Sequence, residues 1–240
     1  MDDWIIRELK ALLLVPITLL PIINPATTAP VFVAAVGNDR ALAKRLAQQV
    51  AVNSWFVVVV SVLIGTYVLA LFGISLPVVR IGGGLLVAAT AWRMLNRSGG
   101  DEVQSAAAEK ASELTRTELF KRSFFPITFP LTTGPGTIAA AIALGAQIPE
   151  KPVQWFAGAV VAAAGAAIVA VVLYIVFRNA VAILAKLGEV GTLVMTRLMA
   201  FILLCVGIQF MWTGWAELNG IVQPPSSATN EARHTARSGP

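Results

Sequence analysis

The sequence predicts an all-α fold, a polytopic membrane bundle of six transmembrane helices arranged as two inverted three-helix repeats, with the first and fourth helices broken. Three observations carry this expectation. Of the 240 residues, 57% are hydrophobic and 13% charged, with a mean hydropathy of +0.76, whereas a soluble domain has about a quarter of its residues charged. Six apolar runs reach the roughly 20 residues a helix needs to cross about 30 Å of hydrocarbon. A motif rich in proline and threonine in the first run recurs in the fourth.

The first run, near 10–36, follows Asp2 and Asp3 in place of a basic segment and is too long for a signal-peptide core, so it is expected to remain as a span. The second and third lie near 48–71 and 75–95, and the fourth, fifth and sixth near 123–147, 153–180 and 192–214. None alternates with a period of two, which excludes barrel strands. One transmembrane domain, 1–220, is expected: repeat one over about 10–95, a loop over about 96–122, and repeat two over about 123–215. The loop's Ala, Glu and Lys content suits a short surface helix or a plain linker. The polar, Pro- and Ser-rich tail 221–240, which holds His234, reads as disordered. Cys205, the only cysteine, lies in the sixth span and allows no intramolecular disulfide.

Lys and Arg set the orientation. Five, including Arg7 and Lys10, fall on the side of the termini, and eleven, including Arg40, Arg93 and Arg178, fall on the other. The richer side is cytoplasmic, so both termini lie outside. The net charge of +5 then reflects topology and requires no nucleic-acid partner.

At an offset of 105, "PIINPATTAPVFVAA" (21–35) aligns with "PITFPLTTGPGTIAA" (126–140), with eight of fifteen positions identical. Apolar composition does not generate the shared pattern Pro-x-Thr-Thr-small-Pro. At an offset of 117, Arg80 and the apolar run after it lie over Arg197 and its run. A duplicated unit of three spans must enter the membrane from opposite sides, the inverted-repeat ground plan common among secondary transporters. Each proline removes a backbone donor and frees carbonyls, which persist in a membrane only beside protein or a wet cavity. The motif residues Asn24, Pro25, Thr27, Thr28, Pro30, Pro130, Thr132, Thr133, Gly134, Pro135 and Gly136 are therefore the candidate substrate site. Their hydroxyls, the Asn amide and half-helix N-termini suit a small zwitterion, its carboxylate at a helix N-terminus. A simple kink is the competing explanation for a single copy, and repetition weighs against it.

Arg80 and Arg197 read either as snorkelling side chains or as gates that attract carboxylates at the two mouths. Gly82, Gly83 and Gly84 suit close helix packing. No Asp or Glu lies near the centre of a span, so no proton-relay carboxylate is visible. Coupling to Na⁺ or H⁺ stays open, with Na⁺ favoured. No P-loop and no placed catalytic base are present, so neither ATP-driven transport nor an enzyme is expected, and no metal site or cofactor is called for.

"INPATTAPVF", "VRIGGGLLV", "FPLTTGPGTIAA" and "TRLMAFILLCVGIQFM" resemble the MarC family of bacterial six-span inner-membrane proteins over about residues 10–215. The resemblance implies a place beside the LysE-type exporters and a multi-pass protein of the bacterial inner membrane. Some members are described as neutral amino-acid transporters. Many relatives carry Gly where this chain has Thr27, which implies a narrower or more polar pocket. The tail lies outside the resemblance. The expected function is a secondary transporter or exporter of a small neutral amino acid or similar zwitterion. The alternatives are a channel using the same cavity and a membrane protein that transports nothing. The expected partners are the bilayer and a small-molecule substrate, and a homo-oligomer stays open.

Overall fold

In the computed structural model, residues 2–37, 39–96, 123–148 and 152–221 are described. The loop read over 96–122 and the tail read over 221–240 fall almost wholly outside them. Among the described residues the chain is helical, without strands. The first apolar run forms α1 (Asp2–Ile23) and α2 (Pro25–Val36), two helices bent by 58° at Asn24. The next two runs form α3 (Arg40–Leu71) and α4 (Leu76–Leu95), and the fifth and sixth form α6 (Pro152–Arg178) and α7 (Ala180–Leu218). The fourth run is a bent segment, Ser123–Thr132, followed by the short α5 (Pro135–Gly145). Among the described residues four helices are long and apolar enough to cross a membrane, which makes five spans if α1 and α2 count as one bent span. Neither piece of the fourth run has that length alone.

Local chemistry sets the boundaries. Asp39 caps α3, its carboxylate accepting from Ala41 N at 2.9 Å and Leu42 N at 3.1 Å, which satisfies two of the donors a helix start leaves open. Pro77 enters α4 in its first turn and Pro152 opens α6, positions where a missing N–H costs nothing. Gly188, at φ 65° and ψ −176°, breaks α7, a conformation that only glycine adopts cheaply. The spanning part of α7 is Val190–Leu218.

The bundle is apolar outside. Phe56, Val60 and Ile64 on α3, Val171 and Ile175 on α6, and Leu198, Phe201 and Ile208 on α7 are exposed. Fewer than a third of the residues in the apolar core of each span are buried. Water would not tolerate this surface, and hydrocarbon matches it. Inside, the buried polar side chains Asn24, Thr27, Thr28, Thr128, Thr132, Thr133 and Thr137 cluster where the two bent elements meet.

Helix packing is symmetric under exchange of the halves. α3 meets α6, and α4 meets α7 along the most extensive contact in the bundle. The contact of α3 with α5 has its counterpart in α6 with α2, that of α3 with Ser123–Thr132 in α6 with α1, and that of α4 with α5 in α7 with α2. The α4–α7 seam is backbone-close. A Cβ added to Gly84 would stand 2.6 Å from Gly207 O and 2.7 Å from Met211 N, so only glycine permits this approach. Elsewhere Phe32 of α2 stacks on Phe177 of α6 with ring centroids 4.9 Å apart. The indole of Trp55 on α3 donates to Ala163 O of α6 at 3.1 Å.

Candidate functional site

Two breaks build the site, and they differ. In the first half Asn24 takes a left-handed conformation, φ 46° and ψ 67°, and α2 resumes at once with Pro25. In the second half, Phe125 and Phe129 are extended, as residues before proline are driven to be, and the Phe129–Pro130 peptide is cis. Helix resumes only at Pro135, after extended Gly134. The first proline of the motif therefore starts a helix in one half and the second proline does so in the other. Gly134 explains the difference, since a Cβ there would stand 2.9 Å from Pro130 O. Ala29, its counterpart in the repeat alignment, is buried inside α2.

The two motifs touch. Thr28 Oγ1 donates to Leu131 O at 3.4 Å across 103 residues of sequence. Within the motifs, Thr27 Oγ1 donates to Asn24 O at 2.9 Å, Thr132 Oγ1 to Ile127 O at 2.7 Å, and Thr133 Oγ1 to Thr128 O at 3.0 Å. From α3, Asn53 Nδ2 donates to Thr128 Oγ1 at 3.5 Å and props the bent segment. The hydroxyls thus hold carbonyls at the two breaks, Leu131 O among them, four residues before Pro135 and so without its helical donor, and each hydroxyl oxygen keeps lone pairs for another donor.

A cavity of about 400 Å³ opens between the motifs, within the range of roughly 300–1,000 Å³ typical of small-molecule sites. Of the residues singled out by sequence, Asn24, Thr27, Thr28, Pro130, Thr132, Gly134, Pro135 and Gly136 line it. Pro25, Pro30 and Thr133 do not. Pro25 opens α2, Pro30 sits inside it, and Thr133 is fully buried behind the wall. Gly136 is seated against the Val87 side chain, which a Cβ would overlap, so the start of α5 lies hard against α4.

The cavity offers donors. Asn24 is 4% exposed, and its Nδ2 has no hydrogen-bond partner. Neither α2 nor α5 has a side-chain cap, and Gly136 and Thr137, in the first turn of α5, face the cavity. First-turn N–H groups have no partner within their helix and favour an anion. Arg93, in the last turn of α4, also lines the cavity. No Asp or Glu lines it among the described residues. Two other buried atoms, Gln49 Oε1 and Ser54 Oγ, lack partners but lie outside the cavity.

Sequence reasoning placed Arg93 with the flanking loop and gave it no role. The only available signal was helical spacing, since Leu86, Thr90 and Arg93 recur at three- and four-residue intervals. Arg80 lies at the other end of α4 and makes an ion pair with Glu217 near the end of α7. It faces a second, smaller cavity. Arg197 is exposed on α7 and lines neither cavity. Gly83 and Gly84 are buried in helix contacts, as their close spacing suggests, whereas Gly82 faces open space. Cys205 is a free, exposed thiol. Among the described residues no three His, Cys, Asp or Glu side chains converge.

Residues 9–219 match the sequence profile of the MarC family of integral membrane proteins. The inner membrane protein MarC of Salmonella typhimurium (strain LT2) is 34% identical over 216 residues, covering 87% of this chain and 96% of the relative. That of Escherichia coli (strain K12) is 35% identical over 213 residues, with the same coverage of each chain. No solved structure matches the chain.

Proposed function

Because the chain belongs to the MarC family of integral membrane proteins, we propose that it is a secondary transporter of a small neutral amino acid or similar zwitterion in the bacterial inner membrane. The single observation that carries the reading is Asn24, held at the break of a bent helix on the wall of the cavity between the two motifs, with its buried amide nitrogen unpartnered. An unpaired buried donor costs about 1–3 kcal/mol. A ligand acceptor, or water awaiting its displacement, removes that cost.

In this reading the carboxylate takes the Asn24 Nδ2 donor and the first-turn N–H groups of Gly136 and Thr137, and Arg93 draws it to the mouth. The ammonium takes the remaining lone pairs of Thr27, Thr28 and Thr132. The same oxygens suit Na⁺ as a coupling ion, since hard cations prefer oxygen ligands. The symmetric packing of the halves supports a scaffold of six spans in two inverted repeats, with Ser123–Thr132 and α5 together forming the fourth span. Names of the relatives support the inner membrane as the location, and the Lys and Arg distribution supports both termini on the periplasmic side.

The test is uptake of a panel of labelled amino acids into proteoliposomes, with and without a Na⁺ or pH gradient. Saturable uptake of one small neutral member, weakened by Arg93→Gln, is the expected result. Uptake no greater than in protein-free liposomes for every member overturns the substrate assignment.

A further inference from the structure

Building on the transport reading above, we propose that the cavity at Asn24 and the second cavity at Arg80 are the two mouths of one path through the protein, closed between them where Gly83 meets Ala139. The second cavity, of about 200 Å³, is lined by Thr18 of α1, Arg80 of α4, Ala140 and Gln147 of α5, and Phe210 and Thr213 of α7. The same four helices line the first cavity, through Ile22 to Asn24, Leu86 to Met94, Gly134 to Thr137, and Leu203.

The order along each helix is what joins the cavities. Running up α1 and α4, the chain passes the second cavity before the first. Along α5 and α7 it passes the first before the second. The two cavities therefore follow one another along all four helices, and no helix breaks the order. On α4 the residues Arg80, Gly83, Val87 and Thr90 recur at spacings of three and four, so one face of the helix runs from one mouth to the other. From one lining to the other is a step of three residues on α5, four on α1, six on α4 and seven on α7. At 1.5 Å per residue, that is a barrier about 5–10 Å thick.

The barrier is built from small groups. Gly83 is pressed on the Ala139 methyl, and a Cβ at Gly83 would overlap it. Gly84 and Gly207 make the neighbouring backbone contact, and Leu19 of α1 is fully buried at the same level. No hydrogen bond or ion pair crosses the Gly83–Ala139 contact, so opening it breaks only van der Waals contact. A small shift of the α4–α7 pair against α5 suffices, and the seam within that pair stays intact. Polar groups wait on both sides: the Asn24 amide on one, and the Arg80–Glu217 pair and the Thr213 hydroxyl on the other.

Cysteine accessibility in sealed membrane vesicles of both orientations tests this in a Cys205→Ala background. A water-soluble, membrane-impermeant maleimide is expected to label Thr90→Cys from one face of the membrane and Thr213→Cys only from the other. Leu86→Cys and Gln147→Cys form a second pair should either threonine variant fold poorly. Phe201→Cys, on the exposed apolar face of α7, is expected to stay unlabelled from both faces. Ala139→Cys is expected to react at least tenfold more slowly than either mouth. Labelling of both mouths from one face, or of neither, overturns the path. Reaction at position 139 as fast as at position 90 overturns the barrier. Opposite-face labelling without amino-acid uptake would leave the path standing and remove the substrate, and uptake with same-face labelling would do the reverse.

Discussion

Replacing Asn24 by glycine separates a structural role for that side chain from a ligand-binding one. Three terms set the expected stability change. Deleting a buried donor without a partner recovers about 1–3 kcal/mol, less whatever cavity water already returns. Glycine adds freedom to the unfolded chain, at a cost of roughly 0.5–1 kcal/mol. The left-handed backbone at φ 46° is open to glycine without strain, so no third penalty arises, and the side chain borders an existing cavity, so little new void forms. The net is a change of about 0 to +2 kcal/mol. For a chain of this length each kcal/mol moves Tm by about 2–4 °C. Thermal unfolding of the purified protein in detergent should therefore show Asn24→Gly melting at the wild-type temperature or up to about 8 °C above it, while saturable uptake is lost. A fall of more than about 4 °C would refute the reasoning, because it would mean that the amide holds the break together. Asn24→Leu provides the contrast: it also removes the amide, but places a bulky L-residue in the left-handed region at about 1–2 kcal/mol.

Three further outcomes follow from the packing and charge. Arg93→Gln should raise KM for a carboxylate substrate roughly 10- to 150-fold, the equivalent of about 1.5–3 kcal/mol for a charge-assisted hydrogen bond, with Arg93→Lys retaining part of the affinity and both variants melting normally. Gly84→Ala should destabilise by about 1–3 kcal/mol, because the methyl meets Gly207 and Met211 backbone and the seam must part, whereas Gly82→Ala, facing open space, should be neutral or gain about 0.5–1 kcal/mol; denaturation of the pair decides. Arg80→Gln and Glu217→Gln should each cost more than the double variant predicts by addition, with a coupling of roughly 0.5–3 kcal/mol in a double-mutant cycle, since each single change strands a partly buried charge.

Much of this architecture was legible because the bilayer imposes it. The apolar runs near 75–95 and 153–180 became α4 and α6 with ends shifted by no more than two residues, since length and hydropathy alone fix such helices. Prolines marked both breaks, and the repeated motif predicted that Thr28 and the second motif would lie together. What stayed hidden depended on contacts between distant residues. The break in the second half runs on to Pro135 because Gly134 is wedged against Pro130 O, a fact no one-dimensional pattern records. The pairing of Arg80 with Glu217 spans 137 residues and turns a suspected free cation into half of an ion pair. Arg93 was counted toward topology, and its place in the cavity depends on how α4 leans on the start of α5.

The distribution of satisfied and unsatisfied groups argues that the cavity is more than a by-product of kinked helices. Proline breaks free carbonyls, and a kink that serves packing alone needs only hydroxyls to cover them. Four threonines bond carbonyls at the breaks, two threonines in each motif, at 2.7–3.4 Å. Packing asks for nothing further, and a glycine at position 24 would take the same left-handed backbone without burying a donor. The chain instead places an asparagine there, 4% exposed and with its amide nitrogen unpartnered, on the wall of a space that Arg93 and the uncapped start of α5 also line. In hydrocarbon, where each unpaired polar group costs several kcal/mol, such a concentration of donors is stable only beside water or a ligand rich in acceptors. A carboxylate supplies several acceptor lone pairs at once, and the bound state then relieves the free one.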